Sequence, residues 1–328
     1  MTALNANLMA RHALPSDDQA ARLRELVGRR APQRQRPAPP PAPPQRETTP
    51  PTERADTPAQ PAVRHARVIA ITSGKGGVGK TNLAVNLAGT LARAGKKVVL
   101  LDADMGLANA DVLCGLDLRH NLAHVVARRK SLDEVLAVGP GGFRLAAGAT
   151  GLARMADLPA GEHGRLLNAL DSLEDSADLI LVDTGAGISP NVLSFTRAAD
   201  DVLVVTTPEP TAVTDAYATI KVVLRGREKG SGPRVSLLVN QAKHAAEAKN
   251  VYERVAKVAA QFLGVALDDA GFIPADKAVT RAVRARKPFV IAEPRSDAAR
   301  AVERLAARLE TGVAGQRRGG FFGRLTGR

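Results

Sequence analysis

Between residues 67 and 310, short apolar runs rich in β-branched residues alternate with longer stretches whose apolar positions recur every three or four residues. The runs VIAITS near residue 70, VVLLDAD near 100, FRLAAGA near 145, LILVDT near 181, VLVVTTP near 204 and VSLLVNQ near 237 are nearly continuous in apolar character, as strands covered on both faces must be. Between them, residues 81–94, 161–175, 190–199, 211–227, 246–263 and 296–311 carry helical spacing. Pro190 falls in a first turn, where the N–H it lacks has no helical partner anyway. This alternation predicts an α/β fold with a doubly wound, mostly parallel sheet and helices on both faces. No internal repeat is visible.

The flanks follow different rules. Residues 1–29 hold one helical candidate, opened by Ser16 as N-cap with Asp17 and Asp18 in the first turn, running through Leu23, Leu26 and Val27 and stopped by Gly28. Residues 30–65 are proline-rich and too polar to bury a core, so they read as an extended linker that displays the helix. The core domain spans 66–311. Residues 312–328 form a basic, glycine-rich tail in which Phe321, Phe322 and Leu325 stand among Arg317, Arg318 and Arg324, the composition of a membrane-targeting segment. Gly319, Gly320, Gly323 and Gly327 oppose a stable helix there.

Composition narrows the partners. The 328 residues suit one sizeable domain with appendages, and 45% hydrophobic content suffices for its core. With no apolar run of about 18 residues and an acidic pair near the N-terminus, the chain is expected in the cytoplasm. Cys114 is the single cysteine, and His120 and His124 stand one helical turn apart without a third ligand, so a disulfide scaffold and a zinc site drop out. A net charge of +13 favours anionic partners, nucleic acid and lipid surfaces alike. An aromatic content of 3% without Trp argues against a stacking platform for single strands.

The strongest chemical signal is Gly74-Lys75-Gly76-Gly77-Val78-Gly79-Lys80-Thr81, a G-x-x-x-x-G-K-[ST] loop set between a predicted strand and a predicted helix. Its glycines let the backbone curl so that N–H groups meet phosphate oxygens, and the helix start adds its positive dipole end. Lys80 neutralises phosphate charge and the Thr81 hydroxyl can ligate Mg²⁺, with ATP as the nucleotide and Asn82 completing the stretch. Two carboxylate sites follow at strand ends, where doubly wound sheets keep ligands: Asp102 and Asp104 in DADMGLAN, and Asp183 in DTGAG.

Lys75, directly after the first glycine, makes the loop resemble the deviant Walker A of the MinD/ParA family. The resemblance implies a slow, regulatory ATPase in which Lys75 reaches a partner's phosphates across an ATP-dependent homodimer. It also implies that Asp104 polarises the attacking water, that Asp102 helps organise the Mg²⁺ shell, and that Asp183 holds Mg²⁺ through a water. Asn240 in LLVNQ resembles the family's adenine-contacting asparagine, and Pro274 with Asp276 in GFIPAD its second adenine-side loop.

Within that family, LLDADMGLANADVLCGLDLRHNLAHVV and VVTTPEPTAVTDAYATIK resemble the FlhG/FleN branch, which regulates flagellar number and placement. The segment Asp18-Gln19-Ala20-Ala21-Arg22-Leu23-Arg24 fits the DQAxxLR pattern with which that branch stimulates the GTPase FlhF. Gln19 is the candidate for orienting the water in the partner's site, with Asp18, Ala20, Leu23 and Arg24 around it. The resemblance further points to a flagellar transcription regulator or C-ring proteins as partners, and to the anionic inner membrane surface as the tail's target when ATP is bound. Two readings of other classes stay open. One is a ParA-like partition ATPase holding nonspecific DNA, favoured by the charge and disfavoured by the N-terminal arm. The other is a metabolic P-loop enzyme, for which no substrate nucleophile or lysine constellation is found. Sequence-specific nucleic-acid recognition is not expected.

Overall fold

A computed structural model describes residues 65–104, 109–147, 170–225, 232–311 and 320–326. Eight strands make one sheet: β1 Arg67–Ser73, β2 Val98–Ala103, β3 Ala137–Val138, β4 Arg144–Ala146, β5 Leu179–Ala186, β6 Asp201–Thr206, β7 Arg234–Ala242 and β8 Asp268–Pro274. Their order is β3-β4-β2-β5-β1-β6-β7-β8, and among the described pairings β3–β4 is antiparallel while the rest are parallel. The helices are α1 Lys80–Arg93, α2 Ala110–Cys114, α3 Leu122–Val126, α4 Leu132–Val135, α5 Pro190–Ala198, α6 Pro210–Leu224, α7 Ala245–Leu263, α8 Lys277–Arg284, α9 Phe289–Ala292, α10 Asp297–Thr311 and α11 Phe321–Thr326. Residues 170–176 are also helical.

The expected doubly wound sheet follows from the strand chemistry. β2 and β6 are buried at every position, and along β1 the side chains divide between two cores. Val68 and Ala70 enter one with Phe195 and Ile220, while Ile69 and Ile71 enter the other with Leu87, Val302 and Leu305. Helices therefore have to cover both faces. β1 is central, and the loop leaving its C-terminal end opens into the crevice where such sheets bind ligands.

The short elements β3, α4, α8 and α9 lie outside the sequence reading, and so do β8 and α11. β8 was not expected because DDAGFIP has no clean apolar pattern, and Gly271 explains why. It takes a left-handed φ of 89°, the register with β7 shifts there, and a Cβ would lie 2.9 Å from the Arg308 guanidinium. The tail forms α11 despite its glycines. Phe321 and Phe322 are fully buried with their rings edge to face at 4.9 Å, so tertiary burial outweighs the propensity argument. The N-terminal helix expected over residues 1–29 and the linker expected over 30–65, except its last residue His65, lie outside the described residues.

A polar tie crosses the sheet beneath these cores. The Arg67 guanidinium donates to Asp201 Oδ2 at 2.6 Å and to the Leu309 carbonyl, and Arg234 donates to Asp201 Oδ1 at 2.9 Å. Asp201 and Arg67 are each 9% exposed. Replacing Asp201 by Ala strands a buried guanidinium, so it should lower the unfolding free energy by about 3 kcal/mol in urea titrations. A loss within about 0.5 kcal/mol, the scale of a surface change, would remove this tie from the account.

Candidate functional site

The loop after β1 is shaped by what its glycines must avoid. A Cβ on Gly74 would sit 2.2 Å from the Asp215 carbonyl oxygen of α6, so only glycine lets the chain leave the strand there. Gly77 and Gly79 adopt left-handed φ angles of 81° and 87°, and a Cβ on Gly79 would meet the Asn240 amide at 2.5 Å. That amide donates to the Val78 carbonyl at 2.7 Å and pins the loop from β7. The loop Gly74–Gly79 thus lies against α6 and β7, and it runs on into α1 at Lys80, Thr81 and Asn82.

Lys80 points inward. Its Nζ donates to Asp183 Oδ1 at 2.6 Å, with the two side chains 7% and 0% exposed. Burial pushes the Asp183 carboxyl up, against the pull of Lys80 and the Thr81 hydroxyl. Its second oxygen is buried without a hydrogen-bond partner. An orphaned acceptor beside a hydroxyl and an ammonium suits a hydrated divalent ion next to phosphates. Among the described residues no group of three or more His, Cys, Asp or Glu is arranged to hold a metal.

Asp102 stands beside Asp183 in the sheet register. Burial first, and the Asp183 charge second, raise its pKa from 3.8 to about 6. Its oxygens accept the backbone N–H groups of Asp104 at 3.2 Å and Ala110 at 3.1 Å. The carboxylate therefore accepts from the end of β2 and from the start of α2, a task that spacing alone did not suggest. Asp104 turns toward the end of β5, where a Cβ on Gly185 would lie 3.4 Å from Asp104 Oδ1.

A cavity of about 260 Å³ is lined by Gly79, Asn82, Asn240, Pro274, Asp276 and Phe289, among others, so the three residues expected on the adenine side meet the loop. Asp276 has a further role that the sequence did not show. Its oxygens cap α8 through Ala278 N at 2.8 Å and reach Ala298 N of α10 at 3.2 Å. Desolvation raises its pKa, but these backbone bonds and Arg281 outweigh that and lower it. Asn86 was also missed. It is buried on α1, donates to Asn82 Oδ1 at 2.7 Å and accepts from Val290 N at 3.0 Å, and an asparagine amid an apolar helical stripe was the available signal.

Lys75 lies apart from all of these. Its Nζ donates to Glu209 Oε2 at 2.7 Å and to Thr211 Oγ1 at 3.2 Å, at the start of α6. The arm residues Asp18, Gln19, Ala20, Leu23 and Arg24 lie outside the described residues.

A family model described as an AAA domain matches residues 66–229. The antiactivator FleN of Pseudomonas aeruginosa is 45% identical over 245 residues, covering 75% of this chain and 86% of that protein. The chain belongs to the FlhG/FleN family of MinD/ParA-type ATPases. The FlhG/FleN assignment extends to the flagellum site-determining protein YlxH of Helicobacter pylori, 36% identical over 260 residues, which cover 76% of this chain and 85% of that protein. Among solved structures, the MinC:MinD cell division complex of Aquifex aeolicus matches with a TM-score of 0.60 and 27% identity, over 78% of this chain and 100% of that one.

The raised Asp102 pKa has a measurable consequence. A carboxyl raised on folding favours the folded state while protonated; that contribution is complete below 3.8 and is lost as pH rises through about 6. In EDTA, Asp102→Asn should therefore gain stability relative to wild type as pH rises from about 4 to above 6. A stability difference independent of pH over that window would show that the shift is absent.

Proposed function

We propose that the chain is an ATP-binding and hydrolysing, MinD-like switch that regulates flagellar number and placement, pairing with a second copy on ATP and stimulating an FlhF-type GTPase through its N-terminal helix. The observation that carries the switch is the divergence of the two loop lysines. Lys80 serves the chain's own site, whereas Lys75 is turned away from it, as a group that works on a second copy's phosphates would be.

ATP with Mg²⁺ would supply the scissile phosphoanhydride and a divalent charge on its oxygens. Thr81 and Asp183 are the residues that would hold the ion, and Asp102 accepts from the Asp104 N–H. Asp104 orients the water that attacks the γ-phosphorus as the bond to ADP breaks. Lys80 in cis and Lys75 in trans neutralise the charge that develops. Hydrolysis that waits for a partner's lysine is slow and regulatory. The cavity around Asn240 and Pro274 receives the adenine.

Outside the ATPase, Gln19 and Arg24 supply the groups that could complete a GTPase partner's site. Addition of a peptide spanning residues 1–30 should accelerate GTP hydrolysis by purified FlhF, and Gln19→Ala in that peptide should abolish the effect. Stimulation by the Gln19→Ala peptide would defeat the role given to Gln19. The relationship to an antiactivator supports a flagellar transcription regulator as another partner, beside C-ring proteins.

The tail reading gains a physical condition. Phe321 N donates to the buried Glu174 at 2.6 Å, and Arg324 donates to the Ala198 carbonyl and to Asp200, each at 2.7 Å. Exposing two phenylalanine rings costs about 1.5–3 kcal/mol each, which insertion into a membrane would return. Sedimentation with anionic vesicles should be ATP-dependent for the full chain and vanish on deletion after Gly315; undiminished sedimentation of the deletion would refute a membrane role for the tail.

The net charge of +13, with Lys277, Arg281, Arg284, Arg286 and Lys287 exposed on and beside α8, favours nonspecific DNA as a second reading. ATP-dependent DNA retention that falls steeply with salt would support it.

A further inference from the structure

Sheet order sets the two loop lysines apart. β1 lies between β5 and β6, and the loop after it sends Lys80 to the β5 side and Lys75 to the helix that follows β6. Glu209 occupies the N-cap position of α6, and Pro210 opens the first turn. Yet the Glu209 side chain makes no capping bond to its own helix. It accepts instead from Lys75 at 2.7 Å, and the Thr211 hydroxyl accepts from the same ammonium at 3.2 Å.

An ammonium is out of place at a helix N-terminus, where the unpaired N–H groups carry partial positive charge. A carboxylate is favoured there, and through it the position becomes tolerable for Lys75. Lys75 and Glu209 are 41% and 64% exposed, so the pair is screened by water and opens readily.

We infer that Glu209 and Thr211 form a seat for Lys75, as positioning residues that hold its ammonium against α6 until the phosphates of a second copy compete for it. The inference rests on the proposed action of Lys75 across a dimer. Seating and pairing draw on one lysine, so the strength of the seat sets the protein concentration at which hydrolysis turns on. Glu209 and Thr211 do not touch the reacting atoms; they act through Lys75.

The test is ATP turnover by the full chain as a function of its own concentration. Exposed ion pairs are weak, so Glu209→Gln should lower the half-maximal concentration by about two- to fivefold. Thr211→Val should act in the same direction and less, and Glu209→Asp should restore part of the wild-type value. In a Lys75→Ala background, which turns over no ATP by itself, Glu209→Gln should leave unchanged the concentration at which ATP pairs the chains in sedimentation, which separates the seat from a structural effect on α6. An unchanged or raised half-maximal concentration for Glu209→Gln, or the same shift without Lys75, would overturn the seat. Mixing Lys75→Ala chains with Asp104→Ala chains tests the underlying action separately, since a mixed pair keeps one site with its own Asp104 and a partner's Lys75. Turnover regained in the mixture, with Glu209→Gln inert, sinks the seat alone; no regained turnover sinks both.

Discussion

The structure is organised around one buried ion pair. Lys80 and Asp183 meet at 2.6 Å with almost no exposure, at the point where the loop after β1 faces the end of β5. Neither charge could be left there alone, because removing one partner of a buried pair costs about 3–5 kcal/mol through the other. The pair is also incompletely satisfied, since one Asp183 oxygen has no hydrogen-bond partner and the neighbouring Asp102 is pushed to a pKa of about 6. A phosphate and a hydrated cation would relieve both defects together. The protein thus holds a site whose polar groups are placed for a ligand rather than for each other.

From that pair the chain runs outward in short, stiff steps. β5 ends in Gly185 and Ala186, and α5 begins at Pro190 with Ser189 accepting from Val192 N. The far end of α5 meets the tail, where the Ala198 carbonyl and Asp200 accept from Arg324. Asp200 also accepts from Val68 N of β1, at 2.9 Å. The tail's seat is therefore built from Glu174 in the helix 170–176, from the end of α5, and from Asp200, which also holds β1. On the other side of β1, Lys75 rests on α6.

The fold was legible because its central strands are buried on both faces and their apolar runs are unbroken; β2 and β6 could hardly be read otherwise. The phosphate loop was legible because glycine, lysine and threonine each have a single physical use at that spacing. Legibility failed where tertiary contact overrides local preference. β8 hides behind Gly271, and α11 forms among glycines because Phe321 and Phe322 are buried. Asp276 and Asp102 were expected at the site, but their bonds to the N–H groups of Ala298 and Ala110 are ones that no spacing rule brings near. Glu209 and Thr211 lay in a stretch valued only for its resemblance, and an acid ahead of a helix-opening proline was the signal available.

Nucleotide binding tests the buried pair most directly. Isothermal titration of ATP into wild type and Asp183→Asn, with and without Mg²⁺, compares the two defects that a ligand is said to relieve. Wild type should bind more tightly when Mg²⁺ is present, and the variant should lose that dependence while still binding nucleotide through the loop. A variant whose affinity responds to Mg²⁺ as wild type does would show that Asp183 does not serve the cation, and the account of the site would fail at its centre.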